Sequence, residues 1–417
     1  MGLFSLLSVL VVLAAVCSYL NYRYLRLPPT IGVMITALVI SVLLIAAGSA
    51  AVGIHEWAAA LVGRIDFNEA VLHGMLAFLL FAGALQLDLA ELAREKWTIG
   101  LLAVAGTCLS TFLVGTATFA LFRCIGLQPG WIPCLLFGAT ISPTDPVAVL
   151  AIMRKAGAPK RLEIQIAGES LFNDGVGVVI FLTLIELSKS HSTPGIADVS
   201  ALLLREVGGG VLLGLAAGLV TYYLLRRVDE YQVEILLTLA LAMGAFALAD
   251  SLHFSAPITA VVSGLFIGNR GRAFAMSAKT REHVDLFWEL IDGILNVLLF
   301  LLIGLEVLVT PFHGRYIVAG LCMIPATLAA RWLSVGAIIA PLRRPLSCDR
   351  GTIPILTWGA LRGGISVAMA LSLPASDFRE PLLTATYIGV VFSIIVQGLT
   401  VGRFIRWISR RHSRHLG

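Results

Sequence analysis

"GATISPTDPVAVL" (residues 138–150) lies in a chain of 417 residues that is 58% hydrophobic and only 13% charged. Pro143 and Pro146 each remove a backbone donor and push the residue before them away from helical geometry. A continuous helix is therefore not expected here, although apolar sequence surrounds the stretch on both sides. Irregular backbone at membrane depth is tolerated only where it lines a cavity or is buried in protein. The break, with Thr144 and Asp145 inside it, marks a candidate site.

The surrounding sequence is that of a membrane protein, since ordinary globular chains carry about 25% charged residues. A helix needs roughly 20 mostly apolar residues to cross the hydrocarbon. Runs of that length are expected near 2–21, 28–48, 69–88, 98–121, 131–153, 163–187, 201–225, 233–251, 256–269, 286–309, 316–340, 353–373 and 382–404. The reading is thus an all-α polytopic fold of 13 transmembrane helices. With the N-terminus outside and the C-terminus cytoplasmic, the great majority of the 30 Lys and Arg residues fall in inner segments, as the positive-inside rule requires. The same rule accounts for the net charge of +5 without a nucleic-acid partner. No strand-like alternation competes with the helices. The N-terminal run has no basic residue before Arg23 and reads as a retained span rather than a leader. The six cysteines sit in or beside apolar runs without metal-binding spacing, so neither a disulfide nor a metal cluster is expected.

A second interruption is expected in the twelfth span, "TWGALRGGISVAMAL" (357–371), where Gly359, Gly363 and Gly364 surround a lone Arg362. Broken helices in spans five and twelve, an odd number of spans apart, suggest inverted repeats of six spans (1–6 and 8–13), a build common among secondary transporters. The seventh span carries Gly210, Gly214 and Gly218 at four-residue spacing, a packing stripe that serves contacts within the subunit or between two.

The sixth span contains "GESLFNDGVG" (168–177). Ser170 and Asp174 are four apart and share one face, and Glu169 and Asn173 share the next. A charge at the bilayer centre costs at least about 2.5 to 3.5 kcal/mol, so each needs a partner or a purpose. Glu169 is paired with Arg331 of the eleventh span, and Arg362 is placed against the negative helix end at the twelfth-span break. Asp174 and Asp145, with the hydroxyls of Ser170 and Thr144, then face a shared pocket whose oxygens suit a hard cation such as Na+. Burial favours the neutral form of a carboxyl, so Asp174 is suited to hold either a proton or a metal cation, hardly both. Glu169 and Asn173 are read as support turned toward the bundle. The edge acids Asp88, Asp250, Asp292 and Glu306, with His73 and His253, are read as reaching water near span ends.

Taken together, "TISPTDPVAVLAI" (140–152), "GESLFNDGVGVV" (168–179), "ARWLSV" (330–335) and "WGALRGGISVAMALSLP" (358–374) resemble the monovalent cation:proton antiporter-1 family, the sodium/proton exchangers of NhaP and NHE type. The resemblance implies that Asp174, following Asn173, is the ion-carrying carboxylate, that Ser170, Thr144 and Asp145 help form the cation site, and that Glu169 pairs with Arg331. It implies a homodimer in which a core bundle (about 98–187 and 316–404) moves against a dimer or scaffold domain (about 1–88 and 201–309), followed by a short basic cytoplasmic tail (405–417). An Asn-Asp pair in place of two aspartates implies electroneutral one-for-one exchange. Ala82 stands where several relatives place a cation-binding glutamate.

The expected protein is thus a secondary transporter and not an enzyme. It would exchange Na+, Li+ or K+ for H+ across a prokaryotic inner membrane, without a cofactor, in the service of pH homeostasis or salt tolerance. Two alternatives stand beside Na+/H+ exchange: a K+/H+ antiporter, and an intramembrane aspartyl hydrolase using Asp145 and Asp174 as a dyad. A channel-like protein or symporter would share the cavity without needing a proton to displace the cation.

Overall fold

The prolines and polar caps of the sequence set where the helices start. A computed structural model describes residues 3–47, 69–189, 196–310, 313–342, 351–374 and 376–413. Pro28 and Pro29 open α2 (Pro29–Ala46) after α1 (Leu3–Leu20), since proline is preset for a first helical turn. A wider turn over Glu69–Met75 leads into α3 (Leu76–Leu85). The Asp88 carboxylate accepts from the amides of Ala90 and Glu91 to start α4 (Leu89–Arg94). There follow α5 (Lys96–Cys124), the half-helices α6 (Trp131–Ile141) and α7 (Val147–Ala156), α8 (Lys160–Lys189), α9 (Ile196–Leu225) and α10 (Tyr231–Ser251). Ser255 caps α11 (Ala256–Phe266), and Ser277 caps α12 (Ala278–Leu305). The chain continues through α13 (Gly314–Leu342), the half-helices α14 (Thr352–Trp358) and α15 (Gly364–Leu371), and α16 (Arg379–Ile408).

Among the described residues, nine helices are long and apolar enough to cross a membrane, and α3 and α6 are shorter apolar helices. The protein is a multi-pass integral membrane protein. Regular structure among these residues is helical apart from one isolated bridge between Asp145 and Leu361. Cys17, Cys108, Cys124, Cys134 and Cys322 are free thiols; Cys348 lies outside the described residues.

The helices pack in two sets. In one, α12 lies against α1, α2, α3 and α10, and α11 lies against α3, α9 and α10. In the other, α6 packs on α5 and α8, α13 on α5 and α16, and α15 on α6 and α16. The glycine stripe of α9 faces α11 of the same chain. A Cβ at Gly214 would stand 2.8 Å from the Thr259 carbonyl oxygen and 2.9 Å from Val262, so this close approach requires glycine. The sequence left the stripe's partner open between this subunit and another; the structure places it inside the chain.

One expected boundary shifts with consequence. The tenth span was placed at 286–309, but α12 begins at Ala278, because its first turns are amphipathic and escape a hydropathy window. Asp292 therefore lies midway along a helix of 28 residues. Glu306, a residue read as water-accessible, is buried, whereas Asp292 is half-buried.

Forcing α9 from α11 is expected to cost about 1 to 3 kcal/mol, the usual cost of overpacking. Gly214→Val should lower the thermal midpoint of the detergent-solubilised protein, followed by monodispersity after heating. An unchanged midpoint would mean that the two helices separate freely.

Candidate functional site

Two interrupted helices meet at the centre of the second set. The gap between α6 and α7 spans Ser142–Pro146, and the gap between α14 and α15 spans Gly359–Gly363. They are tied backbone to backbone, the Asp145 amide donating to the Leu361 carbonyl oxygen at 2.8 Å. Gly363 permits the crossing: a Cβ there would lie 2.6 Å from Asp145 Oδ2.

The free ends of the half-helices find partners in side chains. Arg362 Nη1 donates to the carbonyl oxygens of Ser142 (2.6 Å) and Pro143 (3.0 Å), placing a cation at the negative end of α6. This corrects the expectation that Arg362 serves the helix end of its own span; it reaches across to the fifth-span break instead. Its backbone amide donates to Ser393 Oγ at 2.9 Å, and Gln397 Nε2 donates to the Trp358 carbonyl oxygen at 3.0 Å. Ser393 and Gln397 bracket a π turn in α16. Such widened turns re-aim side chains and recur near functional sites, but no periodicity in the sequence announced this one.

Asp145 Oδ1 accepts from the Val147 amide at 2.9 Å, satisfying the first free amide of α7. Thr144 is held by α8. Its hydroxyl lies 2.9 Å from Ser170 Oγ and accepts from Asn173 Nδ2 at 2.9 Å, while its amide donates to Asn173 Oδ1 at 3.2 Å. Asn173 thus faces the break beside Ser170, rather than the supporting face assigned to it. Residues three apart on a helix are neighbours as surely as residues four apart. Glu169 Oε1 lies 2.5 Å from Arg331 Nη2, and both side chains are almost fully buried.

Asp145 and Asp174 line one cavity of about 500 Å³, together with Thr144. No protein group among the described residues hydrogen-bonds the Asp174 carboxylate, which opens onto this space. Ser170 is not in the wall; it reaches the site through Thr144. Asp292, read from the sequence only as an edge acid, also lines the cavity, with Asn296 and Ser366, which the sequence reading did not single out. The available signal was "WELIDGILNVLL" (288–299), where Asp292 and Asn296 sit four apart in an apolar run. At the mouth, Lys160 pairs with Glu91 and Arg154 with Glu163 (3.6 Å). Ala82 is fully buried among Phe81, Leu85 and Trp288, while its neighbour Gly83 meets the cavity.

Residues 11–407 match the family described as sodium/hydrogen exchanger, transmembrane. The chain belongs to this family. It is 49% identical over 410 residues to the Na(+)/H(+) antiporter NhaP of Pseudomonas aeruginosa, covering 97% of this chain and 96% of that protein. It is 33% identical to the Na(+)/H(+) antiporter NhaH of Halobacillus dabanensis over 82% of this chain and 83% of the relative. The solved sodium proton antiporter MjNhaP1 of Methanocaldococcus jannaschii shares the fold with a TM-score of 0.76, at 18% sequence identity, covering 97% of this chain and 99% of that one. These relatives are transporters, not enzymes.

Removing one partner of a buried ion pair leaves the other charge uncompensated, at a typical cost of about 3 to 5 kcal/mol. Arg331→Met and Glu169→Leu should each lower the thermal midpoint strongly, whereas the double variant should regain most of the loss. Additive losses in this cycle would show that the two charges are not coupled.

Proposed function

We propose that this exchanger moves a monovalent cation, with Na+ first, in one direction and a proton in the other, with Asp174 as the carboxylate both compete for. The observation that carries this reading is the Asp174 carboxylate open to a protein-walled cavity, beside a helix break where the Ser142 and Pro143 carbonyls and the Thr144 amide already have partners. Asp145, Thr144 and Ser170 complete the proposed cation site. Asp145 offers its second oxygen, since Oδ1 is engaged by α7. Thr144 is oriented by Ser170 and Asn173. Carboxylate and hydroxyl oxygens are the ligands a hard cation prefers.

Competition for a single carboxylate is sufficient for exchange. A proton displaces the cation or the cation displaces the proton, and the empty anion crosses poorly because it would move uncompensated. Asn173 stands where a second aspartate would add a charge, so the exchange is read as electroneutral, one for one. Glu169–Arg331 and Arg362 carry structural roles. The two packing sets favour alternating access, in which a core of about 98–187 and 316–404 moves against a scaffold of about 1–88 and 201–309. Homodimer formation follows from the family resemblance. The inner-membrane orientation, N-terminus out and C-terminus in, rests on the distribution of Lys and Arg.

A hydrolase using Asp145 and Asp174 would leave the second helix break and its arginine without a role. The family match and the relatives named above favour exchange.

In proteoliposomes with an imposed pH gradient, Na+ or Li+ should collapse the gradient, and K+ tests the main alternative. Asp174→Asn should abolish the response while the purified protein stays monodisperse; surviving exchange would remove Asp174 from the carrier role. The rate should not change when a valinomycin-clamped membrane potential is imposed. Acceleration by that potential would exclude the one-for-one stoichiometry.

A further inference from the structure

Asp292 stands apart from the other cavity acids in its place in the fold. It is carried by α12, which packs against α1, α2, α3 and α10, whereas Asp145 and Asp174 belong to the set built on α5, α6 and α8. Asn296, one turn on, is buried and donates its side-chain amide to the Asp292 carbonyl oxygen (2.9 Å) and to Asp292 Oδ1 (3.0 Å). This bond fixes the carboxylate and leaves Oδ2 without a protein donor among the described residues. Across the same cavity, Ser366 Oγ is buried, with the residue 1% exposed, and has no hydrogen-bond partner. A buried hydroxyl without a partner is costly unless something else binds there.

A carboxylate kept only for packing is normally paired with a cation. Asp292 has no ion-pair partner among the described residues, and the basic side chains of the cavity, Lys160 and Arg154, are paired at its mouth with Glu91 and Glu163. The interior therefore faces Asp145, Asp174 and Asp292 with no unpaired base, a field that concentrates cations. Yet no three acidic, histidine or cysteine side chains among the described residues converge closely enough to hold one metal ion. The acids mark successive positions rather than one coordination shell.

We propose that Asp292, held by Asn296 and joined by the Ser366 hydroxyl, is a staging site where an entering monovalent cation sheds part of its water before passing to Asp174. This rests on the exchange reading above. Asp292 acts as a positioning and selectivity residue: it raises the local cation concentration and orders the approach but does not carry the proton. Because Asp292 and Asn296 belong to one packing set and Ser366, like Asp174, to the other, relative movement of the sets would take the staging site apart and shut off return.

The test is Na+ titration of gradient collapse in proteoliposomes, comparing wild type with Asp292→Asn, Asp292→Glu and Ser366→Ala. Asp292→Asn should raise the apparent KM for Na+ about tenfold, equivalent to about 1.4 kcal/mol, with a much smaller fall in maximal rate, and Asp292→Glu should restore most of the affinity. Ser366→Ala should raise KM about threefold, as the loss of one hydrogen-bonding oxygen implies. An unaltered KM for Asp292→Asn, or a fall in maximal rate at unaltered KM, overturns the staging role. Should Asp292→Asn fail to give monodisperse protein, Ser366→Ala and Asn296→Ala decide, and unaltered KM in both overturns it. A wild type that does not exchange at all sinks the underlying reading instead, so the two failures are distinguishable.

Discussion

The bond from the Asp145 amide to the Leu361 carbonyl oxygen holds the site together. It joins the two places where a membrane helix has been opened, and in hydrocarbon each opening exposes donors and acceptors that no water will meet. Neither gap is satisfied by its own helix alone. Arg362 of the second gap binds the carbonyls of Ser142 and Pro143 in the first, while α16 supplies Ser393 and Gln397 to the second. Asn173 and Ser170 reach from α8 to Thr144. Breaking one helix thus demands the break in the other.

This mutual satisfaction sorts the buried charges. Glu169 and Arg331 neutralise each other, and Arg362 is held by a helix end. Asp145 is half committed, one oxygen engaged by α7. Asp174 and the free oxygen of Asp292 remain open to the cavity. Of the acids around the crossing, Asp174 and Asp292 are those whose carboxylates face space large enough for an ion. A carboxylate already satisfied by protein donors would gain little from a cation.

Local grammar made much of this legible. Pro143 and Pro146, and the glycines around Arg362, announced both openings, and the order of four motifs pointed to the family. Crossing geometry was less accessible. Arg362 was expected at the end of its own helix because sequence spacing reports intra-helical neighbours and is silent about a partner more than 200 positions away. Asn173 was put on the wrong face because pairing residues four apart hid its equally close neighbour three apart, Ser170. The cavity wall formed by Asp292 and Asn296 was not legible because an acid near the end of an apolar run looks the same whether it meets bulk water or an internal cavity.

The same contacts limit where movement can occur. Gly363 lies so close to Asp145 that even a methyl group would meet its carboxylate, and Arg362 grips the opposing gap through two carbonyls. The two openings must therefore travel as one piece, since sliding either past the other would strip several buried polar groups at once, each at roughly 1 to 3 kcal/mol. Any alternating motion has to be taken up at the seams between the two sets, among them those where α8 meets α11, α12 meets α15 and the turn Glu69–Met75 meets α15. Those seams flank the cavity, with Asp174 on one side and Asp292 on the other. A rigid crossing therefore places the adjustable distances in the site between Asp292 and the pair Asp145 and Asp174.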